Sequence, residues 1–271
     1  MKFGVSTLGC PEWSLERVAE ATREYGYQGI ELRLIDGEVI TPDLVRANRD
    51  RLSSLFGEGK LEIMALSSSV RFTTSDPNER AEQERTLVEF IQLAQDLHVP
   101  MVRIFGGKIP DGVPEDEGIA RVAESLKRCA PAAERAGVTI ALETHDDFSS
   151  SKRLSAVLHH VRSSAVGALW DSHHPYRMNE AVAEVWTNLS NRLVHVHIKD
   201  ARLRPDGNWD LVLLGDGEVP CREIVRALGM RGYRGWVVVE WEKKWHPEIA
   251  EPDVAFPQHI AKLREWTQDL T

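Results

Sequence analysis

Residues 138–145 read VTIALETH, an apolar run that breaks off into a carboxylate, Glu143, and an imidazole, His145. A run without polar alternation is how a strand buried on both faces reads, and such strands belong to parallel sheets covered by helices. The same reading recurs three times downstream. Residues 166–174, VGALWDSHH, end around Asp171; residues 193–200, LVHVHIKD, around His197; and residues 236–242, WVVVEWE, around Glu240. The gaps between these polar residues are 28, 26 and 43. One strand plus its crossover helix takes about 30 residues. Successive units therefore carry Glu, Asp, His and Glu to the same end of one sheet. Three carboxylates and a neutral imidazole form an oxygen-rich set suited to a hard divalent cation.

Working outward, four earlier strands read KFGVST (2–7), YQGIELR (27–33), EIMALSS (62–68) and PMVRIFGG (100–107). Helical periodicity marks residues 11–25, 41–56, 76–97 and 114–136, then 151–161, 179–191, 220–230 and 257–269. In the third helix Leu87, Phe90, Ile91 and Ala94 form one apolar face. Its start combines a cap at Asp76, a first-turn proline at Pro77 and an early acid at Glu79. Gly137 supplies a left-handed stop to the fourth. Eight strands alternating with eight helices predict a (β/α)₈ TIM barrel, one domain over residues 1–271, in preference to an open doubly wound sheet. No GxGxxG follows the first strand, which weakens a dinucleotide-binding alternative.

The bulk properties narrow the partners. The 271 residues carry 33 Lys and Arg against 42 Asp and Glu, a net charge of −9. Such an acidic chain has no electrostatic footprint for nucleic acid. No apolar run reaches the 18 or more residues of a membrane span, and the N-terminus enters a strand with no room for a signal peptide. Cys10, Cys129 and Cys221 are odd in number and lack metal-type spacing, which fits a reduced, cytoplasmic compartment. Cys10 has no recognisable base partner and reads as inert.

Barrel enzymes place their sites at the carboxyl ends of the strands, where all four candidate ligands fall. Alternate strand residues face opposite sides, so His195 and His197 both point inward. His195 lies one layer deeper and reads as an internal hydrogen-bonded residue, leaving His197 as the ligand. Lys199 is read as a partner for a substrate oxyanion or phosphate, or for Asp200. Arg103 and Glu31 end strands four and two as substrate contacts or buried ion pairs, His145 as a site or loop residue, and Arg33 as structural. Trp241 and Trp245 read as packing, His173 as solvent-facing, and His98, His159, His160 and His259 as surface residues.

The motifs ALETH, WDSHH with its Asp-x-x-His from Asp171 to His174, and HVHIKD resemble the xylose-isomerase-like sugar phosphate isomerase/epimerase family. So do GDGEVP, RGYRGWVVVEWE and EPDVAFPQ, which extend the resemblance over essentially the whole chain. The resemblance implies that Glu143, Asp171, His197 and Glu240 bind one divalent metal ion, of which Mn, Mg, Co and Zn all suit such ligands. It further implies that Glu143 and Glu240 handle protons and that His174 contacts a substrate oxygen. Many family members have an arginine six residues after the metal-binding His; here that position is Leu203, flanked by Arg202 and Arg204.

The expected activity is a metal-dependent isomerase or epimerase of a small keto sugar or polyol-derived ketone. Proton removal beside a carbonyl leaves an enediolate that a metal stabilises, with one carboxylate as base and the other as acid on the opposite face. A dehydratase of the same family, of keto-inositol or dehydroshikimate type, would share the first step. A catalytically inactive metal-binding protein is the alternative of another class. An apurinic endonuclease would need histidines at the ends of strands three and four, which read MALSSS and VRIFGG. The acids Asp216 and Glu218 in the rim segment GDGE disfavour an anion there. Pro247, Pro252 and Pro257 predict an extended path across the rim, covering the site or meeting another subunit, most simply in a twofold dimer.

Overall fold

A computed structural model describes residues 1–57 and 61–270. Eight parallel strands close a barrel: β1 Lys2–Ser6, β2 Gly29–Leu32, β3 Glu62–Ser67, β4 Met101–Phe105, β5 Thr139–Glu143, β6 Val166–Asp171, β7 Leu193–Ile198 and β8 Trp236–Val239. Each pairs with its chain neighbours, and β1 with β8 seals the ring. The expected TIM barrel is the observed fold.

The helices form where capping and periodicity predict them, with instructive differences. Asp76 accepts the Asn78 N–H at 2.8 Å and Pro77 opens the helix Pro77–Asp96. Gly137 closes Glu115–Ala136 at φ 66°. The single helix expected over residues 41–56 is two, Pro42–Ala47 and Arg49–Leu55, broken at Asn48. The Asn48 side chain donates to the Leu44 carbonyl at 3.0 Å, beside the Asn48 backbone N–H at 3.2 Å, so the side chain competes for the helix acceptor.

The last helix overturns the extended path expected from the prolines, for it runs Pro252–Thr267. Pro252 sits in the first turn, where a missing N–H costs nothing. Pro257 lies inside the helix and removes one backbone hydrogen bond, which tertiary packing outweighs. The stretch before the helix is clasped by the Lys243 ammonium, which donates to the carbonyls of Pro247 and Ile249 at 2.7 and 2.6 Å. Trp241 is buried, with its indole N–H on the Ala250 carbonyl at 2.9 Å. Trp245, in contrast, is half exposed rather than packed, and His259 is buried edge-on to Trp241 rather than on the surface.

The barrel interior changes character along its length. Ala141 and Glu143 share parity on β5, Leu169 and Asp171 on β6, Met101 and Arg103 on β4; Trp236 and Val238 precede Glu240 in the same phase. Met64, Met101, Ala141, Leu169, Trp236 and Val238 form an apolar cluster apart from the main core, and the charged members stand at the opposite end of the same strands. A register shift sets the alignment. Ala168 pairs with Leu193 but Leu169 pairs with His195, so Val194 is an inserted residue that brings Asp171 opposite His197.

Close strand packing at the base depends on Gly29. A Cβ there would lie 2.4 Å from the Glu62 carbonyl oxygen and 3.1 Å from the Trp236 ring. Gly29→Ala is therefore expected to cost about 1–3 kcal/mol, as overpacking does, read as a lower urea midpoint. An unchanged midpoint would show that β2 and β3 separate without penalty. Among the described residues no helix is long and apolar enough to cross a membrane.

Candidate functional site

Each candidate ligand owes its position to the end of a strand. Glu143 is the last residue of β5, Asp171 the last of β6, His197 the penultimate of β7, and Glu240 follows β8 directly. One ligand atom from each lies within 4.8 Å of the others. Two ligands facing each other across an ion at about 2.2 Å would be about 4.4 Å apart, so the spacing suits a single cation. The donor set, three carboxylates and an imidazole, fits a hard or borderline divalent ion.

Local structure fixes the orientation of each group. Asp171 Oδ1 accepts the backbone N–H groups of His173 and His174 at 2.8 and 3.2 Å, starting the short helix His173–Arg177. That leaves Oδ2 to face Lys199 at 2.9 Å and His197 at 3.9 Å. His197 Nδ1 lies 3.1 Å from Glu143 Oε1 and 3.2 Å from Glu240 Oε1. Its other nitrogen, Nε2, lies 2.8 Å from Glu31 Oε2, and the same oxygen meets His195 Nε2 at 2.9 Å. Glu31, His195 and His197 also form a ligand-type cluster, in which a single Glu31 oxygen is shared between the two imidazoles at hydrogen-bond distance. With Glu31 holding Nε2, the Nδ1 side of His197 is the one turned to the three carboxylates. A carboxylate behind a ligating imidazole fixes its orientation and raises its basicity.

Burial makes this a strongly coupled electrostatic cluster. Glu31, Glu143, Asp171 and Glu240 are all buried, as are the compensating His197, Lys199 and Arg103. Arg103 Nε lies 3.2 Å from Glu143 Oε2. Lys199 Nζ lies 2.6 Å from Glu240 Oε2 and also bonds Glu242 Oε1. Burial opposes the charge on Glu143 and Glu240, yet the His197, Arg103 and Lys199 cations outweigh it and hold both carboxyls below their ordinary range. For Asp171 burial wins and pushes the carboxyl up to about 7, with Lys199 pulling down and the Glu240 and Glu143 charges pushing up.

The remaining candidates fall into distinct places. His174 is buried, both its ring nitrogens lack a hydrogen-bond partner, and burial holds it neutral. His145 lies beside it, ring centroids 4.6 Å apart, with Asp146 Oδ1 3.3 Å from its Nδ1. Lys199 is engaged with carboxylates, while Asp200 turns the other way and accepts the N–H groups of Ala201, Gly215, Gly217 and Val219. In the GDGE segment the Gly215 and Gly217 N–H groups go to Asp200, and those of Asp216 and Glu218 to the Leu213 and Ala201 carbonyls. Arg33 is structural, donating to the Ser67 carbonyl and Ser69 hydroxyl at 2.9 and 2.8 Å. Arg202 binds the Asp216 carbonyl and Arg204 pairs with Asp206.

His173 corrects its solvent-facing assignment: it is buried, 5.0 Å edge-on to Trp209, and burial lowers it to about 3. Trp209 belongs to a hairpin of Asp200–Leu203 and Trp209–Val212 that sequence reading passed over. Its signal was the Asp206-Gly207 turn, with Gly207 at φ 84°. The double acceptor role of Glu31 was also missed, because the bond joins residues more than 160 positions apart.

Comparison with known proteins agrees with this architecture. A family model described as "Xylose isomerase-like TIM barrel" matches residues 19–266. Fructoselysine 3-epimerase of Shigella flexneri is 26% identical over 250 residues, covering 89% of this chain and 90% of the relative. L-ribulose-5-phosphate 3-epimerase of Salmonella typhi is 27% identical over 277 residues, covering 96% and 91%. The solved structure of IOLI protein with a binding zinc atom superposes with a TM-score of 0.83 at 20% identity, covering 100% of this chain and 99% of that one.

Proposed function

We propose that this chain, which belongs to the xylose isomerase-like TIM-barrel family, is a divalent-metal-dependent epimerase or isomerase of a keto sugar, acting as one catalytic domain. The observation that carries the reading is the convergence of Glu143, Asp171, His197 and Glu240 within 4.8 Å at one end of the barrel. The epimerase relatives, which cover nearly the whole chain, support the reaction class.

Glu143, Asp171, His197 and Glu240 would hold the ion. A bound divalent cation supplies stabilisation of the negative charge that develops on neighbouring substrate oxygens. Glu143 and Glu240 approach from β5 and from the end of β8, and each has one oxygen toward His197 and the other against a cation, Arg103 or Lys199. One carboxylate takes the proton from carbon; the other, protonated, returns one to the opposite face. Return to the same carbon inverts it, and return to its neighbour isomerises the sugar. The pair must therefore differ by one proton once substrate is bound, whereas in the free site the His197, Arg103 and Lys199 charges hold both carboxyls below their ordinary range. His174, with two unpartnered ring nitrogens, would hydrogen-bond a substrate hydroxyl.

Two measurements test this. Alanine at each of the four ligand positions, followed by elemental analysis, is expected to strip most of the divalent metal, above all at Asp171 and His197; full metal content in all four variants overturns the assignment. Metal-reconstituted protein incubated with ketoses in deuterated water is expected to place solvent deuterium on carbon without loss of water. A dehydrated product would favour the dehydratase instead.

A further inference from the structure

Beside the ligand cluster opens a cleft of about 580 Å³ that the proton-transfer chemistry does not use. Its walls come from the segments that follow β3 and β4. The Phe105 N–H donates to the Val70 carbonyl at 2.9 Å and the Phe72 N–H to the Gly106 carbonyl at 3.1 Å, so the two segments run side by side. Gly107, at φ 101°, keeps them close; a Cβ there would meet Thr73 Oγ1 at 2.6 Å and Arg71 Cβ at 3.1 Å. Arg71 and Lys108 thereby line the same cleft. Among the described residues neither has a side-chain hydrogen bond or ion pair.

The cleft adjoins the site through a chain of contacting side chains. Its floor residue Asp146 contacts His145, whose ring lies 4.6 Å from His174, and the His174 N–H binds Asp171. A ligand anchored at the metal end would reach the cleft by way of His174 and His145. Besides Arg71 and Lys108, the lining holds three carboxylates, Glu79, Glu82 and Asp146, and the amide of Gln83. A dianionic phosphate would face those three acids, and an uncharged hydroxyl end would satisfy neither sign. The volume, in the range that engulfs most of a small ligand, also exceeds what one phosphate fills. Both signs of charge are matched by a tail that carries both.

We propose that this cleft is a substrate subsite for a zwitterionic amino-acid tail on the keto sugar, its carboxylate held by Arg71 and Lys108 and its ammonium by Glu79, Glu82 or Asp146. The inference rests on the keto-sugar epimerase reading, so its test has one arm that needs no turnover. In that arm, L-lysine, acetate and inorganic phosphate are each added to metal-loaded protein and binding is followed by ligand-observed NMR. L-lysine is expected to bind more tightly than the two simple anions, and Arg71→Ala with Lys108→Ala to weaken it about tenfold or more, the size expected for a lost charge-assisted hydrogen bond. In the kinetic arm, kcat/KM is measured for fructoselysine, L-ribulose 5-phosphate and D-tagatose. Fructoselysine is expected to be preferred, and the double variant to lower the fructoselysine to D-tagatose ratio about tenfold, mainly through KM. Preference for the phosphate ester, or L-lysine binding and a substrate ratio that the double variant leaves unchanged, overturns the subsite. L-lysine binding in the cleft with no ketose turned over would overturn the epimerase reading and leave the amino-acid site standing.

Discussion

Glutamine in place of Glu143 or Glu240 is expected to cut ketose turnover about 10²–10⁴-fold, the usual contribution of general acid–base catalysis, while most of the metal stays bound. Glutamine keeps the shape of glutamate and offers a carbonyl oxygen toward the His197 side, where Glu143 Oε1 and Glu240 Oε1 now lie 3.1 and 3.2 Å from Nδ1. It cannot take up a proton from carbon. The two variants should differ in a second readout: exchange of the substrate proton with solvent should disappear first in whichever variant lacks the base for that face. His174→Asn, which leaves all four ligands untouched, should raise KM with metal content nearly intact. Turnover near the wild-type rate in either glutamine variant with metal bound would sink the two-carboxylate mechanism and reduce Glu143 and Glu240 to ligands.

Lys199→Met is expected to destabilise the metal-free protein by about 3–5 kcal/mol, the cost of removing one partner from a buried ion pair. The Lys199 ammonium is buried and lies 2.9 Å from Asp171 Oδ2 and 2.6 Å from Glu240 Oε2, with Glu242 as a third partner. Methionine fills the space of the stem and leaves those carboxylates uncompensated. Urea unfolding in the presence of a chelator measures the loss. Adding divalent cation should recover part of it, because a cation among the same carboxylates replaces the missing charge and binds only the folded state. A midpoint equal to wild type in chelator would mean that Lys199 contributes no net neutralisation.

The barrel and the strand-end positions of its four candidate ligands were legible in the chain, because both are consequences of local pattern. An apolar run such as 138–142 can only be buried on two faces, and the polar residue that ends it must emerge at the sheet's edge. Strand parity likewise told that His195 and His197 point inward. Capping residues Asp76 and Gly137 set helix ends, since a cap acts on its own turn of backbone. Where partners are distant in the chain, local pattern was silent or misleading. Pro257 reads as a helix breaker, yet packing of Phe256, Ile260 and Leu263 carries the helix through it. Lys199 reads as a partner for a substrate oxyanion or phosphate, or for Asp200, yet it turns to the site carboxylates while Asp200 turns to the backbone of residues 215–219. Only closure of the barrel brings Glu31 of β2 against both histidines of β7. Only the pairing of residues 70–72 with 105–106 joins Arg71 to Lys108 in one cleft. Position along a strand is encoded within a few residues; partnership across the barrel depends on the whole chain having closed.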